Sequence, residues 1–240
     1  MINSVRNTVL AVANKQNFGY ISPGDFNLYA KQAQLDIFEN YFYRYNEWVA
    51  KRNARISGSG YSDIVVNLEE VIDIFYEAES LTSYSVSNYP MPDDYYMIVK
   101  LNFNGGTDVE RISNARANML NSSNLTAPTT QYPVYIQRNF PISGGTIVNG
   151  IVVYPNSITS GIVCEYIRRP KDPKWTYVTL SEGEPLFDQG AIDYQDFELP
   201  ATDEPLLVAK ILQYAGISIR EADIYKFGQI DEANETQKQG

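Results

Sequence analysis

The chain has 240 residues, 44% of them hydrophobic and 20% charged, a formal net charge of −10, one cysteine, nineteen tyrosines and no histidine. Without an imidazole as base or ligand, Ser-His-Asp triads, Cys-His pairs, His-bearing zinc sites and H-E-x-x-H helices are excluded. Carboxylate, lysine and tyrosine chemistries survive, but the composition points to a protein that works through its surface, as a binder or an assembly part.

Cys164 lies in the apolar run Ile162-Val163-Cys164 and reads as a small buried hydrophobe. A single cysteine allows no disulfide within the chain. The segment Met1 to Asn14 carries Arg6 and Asn7 among short apolar pieces and does not read as a signal peptide. No run approaches the ~18 apolar residues that span a bilayer, so the expectation is a soluble product without a membrane partner. The sequons at Asn121, Asn124 and Asn234 then carry no weight. The acidic balance disfavours tight nucleic-acid binding, which needs cations against phosphates. An acidic protein can still handle DNA where the DNA must slide past without sticking.

In chain order, a short amphipathic helix is expected over about 4–15. A long one then starts at Ser22-Pro23-Gly24-Asp25, with Ser22 as N-cap, Pro23 at the first helical position and Asp25 complementing the positive helix end. Its apolar stripe, Phe26, Tyr29, Ala30, Ala33, Ile37, Phe38, Tyr41, Phe42, Tyr45, Trp48 and Val49, keeps spacings of three and four to about Arg55. After the linker Ser57-Gly58-Ser59-Gly60, a helix is expected over about 67–80 and strand-like alternation from Leu81 to Tyr89. Tyr95 to Phe103 fits a buried strand or a short helix equally. Asn104-Gly105-Gly106 marks a turn, and Asp108 to Leu120 reads as helix. From Tyr132 to Tyr177 the pattern is β, punctuated by Ser143-Gly144-Gly145, Asn149-Gly150 and Pro155-Asn156. A last helix begins near Thr202 or Asp203, with Pro205 in its first turn, and continues to about Glu232.

The fold class expected is therefore α+β: a long N-terminal helical hairpin or bundle with a small antiparallel β unit and a C-terminal helix and arm. Residues 1–80, 108–123 and 202–233 make the helical bundle, and 81–107 with 130–180 the β-rich part. Residues 181–201 form an acidic loop and 234–240 a tail.

Motifs for chemistry are few. There is no phosphate-cradling Gly-rich loop, no C-x-x-C and no EF-hand spacing. Neither an enzyme nor a cofactor is expected. Paired carboxylates among Glu182, Glu184, Asp188 and Asp193 leave glycosidase-type hydrolysis formally open, and Asp188, Asp193, Asp196 and Glu198 a calcium site. Solvated loop acids are the simpler account of both. The basic cluster Arg168, Arg169, Lys171 and Lys174, stiffened by Pro170 and Pro173, precedes a run from Trp175 to Ala209 that has acids but no Lys or Arg. One account is a solvated loop. The other is a contact between copies, with Arg168, Arg169, Lys171 and Lys174 facing Glu182, Glu184, Asp188 and Asp193, a head-to-tail arrangement that closes into a ring when the rotation allows.

Several segments together resemble virion proteins of crAss-like bacteriophages. They are Met1-Ile2-Asn3-Ser4-Val5, the helix from Tyr20, Arg111-Ile112-Ser113-Asn114, the stretch from Leu120 to Thr129, Tyr132-Pro133-Val134-Tyr135, and Cys164 to Trp175. Tyr194 to Pro200 and Ile211 to Glu221 belong with them, so the likeness runs along nearly the whole chain. It implies a ring protein of the head-to-tail connector, an adaptor that is typically a dodecamer. Its partners would be the portal protein, the next neck or tail ring and its own copies, with genome DNA passing through the lumen without specific binding. The resemblance implies a place in the virion neck or tail after synthesis in the host bacterial cytoplasm. By a more distant analogy with adaptors of short-tailed phages, the segment after Phe227, with Phe227, Ile230 and Asn234, would be a portal-gripping arm. The competing reading is a virion-associated carbohydrate-binding module, which would use exposed Tyr and Trp as stacking platforms.

Overall fold

The computed structural model describes residues 1–14, 21–53, 61–142, 144–179 and 183–219. Among these residues the helices run α1 Ile2–Asn14, α2 Pro23–Asn53, α3 Tyr61–Asp73, α4 Asn114–Asn121 and α5 Glu204–Ile219. The strands among the described residues are β1 Tyr76–Leu81, β2 Asn88–Pro90, β3 Tyr95–Phe103, β4 Thr107–Asp108, β5 Glu110–Arg111, β6 Val134–Pro141, β7 Ile147–Tyr154, β8 Ile162–Arg168, β9 Tyr177–Thr179 and β10 Pro185–Phe187. The chain divides into two compact units, residues 72–169 and the remainder on either side. No helix among the described residues is long and apolar enough to cross a membrane.

In the unit formed by both chain ends, α2 spans 31 residues, about 46 Å at 1.5 Å per residue. Ser22 caps it: its Oγ accepts from Asp25 N at 3.2 Å and donates to Asp25 Oδ2 at 2.7 Å. Phe26, Ala30, Ala33, Ile37, Phe38 and Tyr41 are buried along one side, as the spacing requires. Both α1 and α2 pack on α5, whose Leu207, Ile211, Leu212 and Ala215 are buried.

This overturns the expected architecture. The helices do not form a long N-terminal bundle, and β structure is substantial, in three sheets among the described residues; the packing of α1 and α2 on α5 agrees with the expectation that 202–233 joins the helical part. The physical reason is strand pairing that local propensity hides. Tyr76-Glu77-Ala78-Glu79-Ser80-Leu81 has helix-favouring residues and only a short apolar–acidic alternation, yet it forms β1 because β8 offers it a full antiparallel ladder, Tyr76 opposite Ile167 through Leu81 opposite Ile162. The helix expected from Asp108 starts only at Asn114, with Ser113 Oγ accepting from Arg116 N at 3.3 Å. Asn149-Gly150 is not a turn; β7 runs straight through it.

In the unit of residues 72–169, two four-stranded sheets, ordered β1-β8-β3-β4 and β2-β7-β6-β5, bury a shared core. Leu81, Leu101, Ile162, Cys164 and Tyr166 from the first meet Tyr89, Tyr135, Ile151 and Val153 from the second. Period-two alternation sends Val134, Ile136 and Val152 to the opposite face, where Ile112, just after β5, and Ala117 of α4 complete a smaller cluster. Each fully buried aliphatic or aromatic side chain contributes about 2 kcal/mol. The remaining sheet is the β9–β10 hairpin, in the other unit.

Candidate functional site

The basic strip is an extended segment fixed at both ends by proline, Pro170 and Pro173, both buried. Three polar residues of α2 spaced by four and three, Asn27, Lys31 and Gln34, share a helix face and engage it. Asn27 bonds both main-chain groups of Trp175, Lys31 Nζ meets Asp172 Oδ2 at 2.6 Å, and Gln34 Nε2 donates to Lys171 O at 2.7 Å. The other end of the buried Gln34 amide accepts from Glu198 N at 3.1 Å, and Glu198 Oε2 accepts from Lys171 N at 2.8 Å. Helix face, strip and acidic loop are thus stitched together mainly through main-chain groups of the strip, with Lys31–Asp172 as the side-chain pair.

The four basic residues have different situations. Arg168 Nε lies 3.3 Å from Glu77 Oε2 in the 72–169 unit. Arg169 N donates to Asp94 O at 2.7 Å, and its side chain lines a groove of that unit. The Lys171 side chain is exposed, its backbone being the part engaged. Lys174 Nζ lies 2.5 Å from Asp193 Oδ2, and this bond holds the Asp193 carboxyl below its ordinary value. Both groups are more than half exposed, so solvent screens the pair and it adds little stability.

On the acidic side, Glu184 is exposed and Asp188 Oδ1 accepts from Gly190 N at 2.9 Å. Glu182, Phe227, Ile230 and Asn234 lie outside the described residues, as does the stretch assigned to the tail. Of the proposed strip-to-loop pairs, the structure brings Lys174 and Asp193 together, and it does so within one copy. The main chains of Lys174 and Gln195 also bridge, N to O at 2.8 Å.

The calcium reading does not hold. Among the described residues no group of three or more carboxylates is placed to hold a cation. Asp196 instead accepts from the N-terminal amine at 3.0 Å and from Ile2 N and Phe197 N, each at 2.8 Å. Burial alone would raise its carboxyl pKa, but these donors outweigh it and hold it below the ordinary value.

Trp175, 2% exposed, anchors the neighbourhood. Its ring stacks on Tyr177 and Phe187 at centroid distances of 5.6 and 5.8 Å, the Arg6 guanidinium sits 3.7 Å from the ring centre, and Nε1 donates to Asn3 Oδ1 at 3.1 Å. The strip is therefore organised around a tryptophan. Sequence reasoning placed Trp175 at the strip's edge and missed Asn3, Arg6, Asn27 and Gln34. Their signal, polar residues spaced along two helices, has no meaning until the partner segment is known.

The hairpin that follows exposes apolar surface. Val178 and Leu186 stand directly opposite each other across β9 and β10, 54% and 55% exposed, beside Tyr177 at 48%. No protein-family model matches this chain, and no curated protein matches it.

Proposed function

We propose that the chain is a structural subunit that assembles with its own copies into a ring of the head-to-tail connector of a tailed phage, joining portal to tail around the DNA channel. The observation that carries this reading is the exposed Val178–Leu186 pair on a two-stranded hairpin. An isolated hairpin is marginal in water, and apolar side chains set side by side on one are stabilised when a neighbour covers them. The resemblance to crAss-like virion proteins supplies the kind of assembly. Because Lys174 and Arg168 have partners in their own chain, the contact between copies is assigned to the hairpin and not to pairing of strip with loop.

A twelve-membered ring of chains each carrying −10 would hold about −120 formal charges. Carboxylates facing the lumen repel the phosphate backbone, which lets the genome pass without sticking. The portal protein and the next neck or tail ring are the other partners.

The test is mass in solution by light scattering, for the protein alone and mixed with the portal protein of the same phage. The expected result is about twelve-fold mass, alone or on the portal. Val178→Lys with Leu186→Lys should return the protein to a monomer with unchanged circular dichroism. A wild-type chain that stays monomeric and ignores the portal overturns the proposal.

A further inference from the structure

Strand edges are where sheets recruit extra chains, and proteins usually block them. In the 72–169 unit, β2 is blocked. Its Asn88 N donates to Ser85 O at 2.7 Å, Asn88 O accepts from Tyr84 N at 2.9 Å, and Pro90 has no N–H to offer. The edge strands β4 and β5 are two residues each. β1 is different: it is six residues long, pairs only with β8 among the described residues, and lacks proline and lysine.

The phase of its ladder says which groups are free. Arg168 N donates to Phe75 O at 2.9 Å, so in the register Tyr76 to Ile167 the hydrogen-bonded pairs fall on Glu77, Glu79 and Leu81. The N–H and C=O groups of Tyr76, Ala78 and Ser80 then point off the open edge, and all three residues are exposed.

The alternate side chains Glu77, Glu79 and Leu81 of this strand line an open groove of about 890 Å³ over the face of the sheet. Glu77, Glu79, Asp93 and Asp94 line it together with Met91 and Ile147. Tyr166 Oη sits between two of these carboxylates, 3.1 Å from Asp94 Oδ1 and 3.4 Å from Glu79 Oε2. Against four carboxylates stand two guanidinium groups, Arg168 on Glu77 and Arg169 on the rim. The groove is net acidic with an apolar wall.

We propose that β1 takes up an extended segment of another protein chain as a fifth strand of its sheet, one that carries lysine or arginine at alternate positions next to apolar residues. The main-chain groups of Tyr76, Ala78 and Ser80 provide the ladder, and Glu77 and Glu79 on β1 itself select the cationic side chains, in a groove whose net charge is acidic. The site lies wholly within residues 72–169, so it stands or falls independently of the ring reading.

The probe is a labelled, end-capped peptide of alternating lysine and valine, titrated onto the full-length protein by fluorescence anisotropy. Two controls accompany it: alternating glutamate and valine, and the same lysines and valines in separate blocks. Binding of the alternating cationic peptide alone is expected, weakened about tenfold or more by Ala78→Pro, which removes an outward N–H and no ladder bond to β8. Amide hydrogen exchange on the wild-type protein is the second readout and does not depend on the variant folding. Ala78 and Ser80 should gain protection when the peptide is added. No binding overturns the proposal. So does equal binding of the blocked peptide without protection at Ala78 and Ser80, which is plain charge attraction.

Discussion

Asn27 holds the main chain of Trp175 at both ends, its Nδ2 donating to Trp175 O at 3.2 Å and its Oδ1 accepting from Trp175 N at 2.8 Å. One side chain on α2 thereby fixes the position of the tryptophan that anchors the strip. Asn27→Ala leaves a main-chain donor and acceptor beside a buried indole without partners, an expected loss of about 2 kcal/mol in urea unfolding. Asn27→Asp keeps the acceptor for Trp175 N and loses the donor, so it should fall between the two. A loss below about 0.5 kcal/mol for the alanine variant would mean that water replaces the amide without cost and that Trp175 is held by its ring contacts alone.

Gly150 lies where β7 passes beneath Phe140 and Tyr89. A Cβ there would come within 2.4 Å of the Phe140 ring and 2.5 Å of Tyr89 O. One of these is backbone and cannot step aside, so Gly150→Ala should cost about 2–3 kcal/mol. Gly106, with nothing within 4 Å of its would-be Cβ and no unusual backbone angle, is the matched control. Gly106→Ala should lie within about 0.5 kcal/mol of wild type in the same denaturation series.

The same two glycines mark the reach of sequence reasoning. Asn104-Gly105-Gly106 is a turn by local chemistry and is one in the structure, because the signal and its cause lie in the same few residues. Asn149-Gly150 carries a similar signal, but Gly150 is there for close approach to Phe140 and Tyr89, ten and sixty-one residues away. α2 was readable from its stripe, since helix period and buried face are properties of one segment. β1 was not, since it is a strand only by virtue of β8, and Asn27, Lys31 and Gln34 acquire roles only from a segment some 140 residues later. Charge pattern alone set the basic strip against the acidic loop, yet it neither singled out Lys174 with Asp193 nor told a partner in the same copy from one in the next.

Cys164 is fully buried between the two sheets, where burial, followed by the negative charges of Glu79 and Glu165, pushes its thiol up to about 12. At neutral to mildly alkaline pH there is almost no thiolate to react and no path for a reagent. Ellman's reagent should therefore modify no thiol in the native protein at about pH 8 and one in urea, at the rate of global unfolding. Fast stoichiometric reaction of the folded chain would mean that the core around Cys164 opens locally. Cys164→Ala keeps the site apolar and should cost only about 1–2 kcal/mol.

Asp196 ties the start of α1 to the acidic loop, accepting from the N-terminal amine and from Ile2 N and Phe197 N. These donors depress its folded pKa below the ordinary 3.8, although burial pulls the other way. A carboxylate with a depressed folded pKa binds fewer protons in the native state than in the unfolded one near its titration range. Its contribution is therefore present above the unfolded value and fades as pH falls below 3.8 towards the lower folded value. Asp196→Asn removes the charge while retaining an acceptor for a main-chain N–H. The variant should be less stable than wild type at pH 7, and the gap should narrow at about pH 3, where the wild-type carboxyl begins to take up its proton. Urea midpoints at the two pH values measure this directly. A gap that stays constant between them would assign the loss to the asparagine amide replacing the Oδ2 acceptor of the terminal amine, and would remove ionisation of Asp196 from the account.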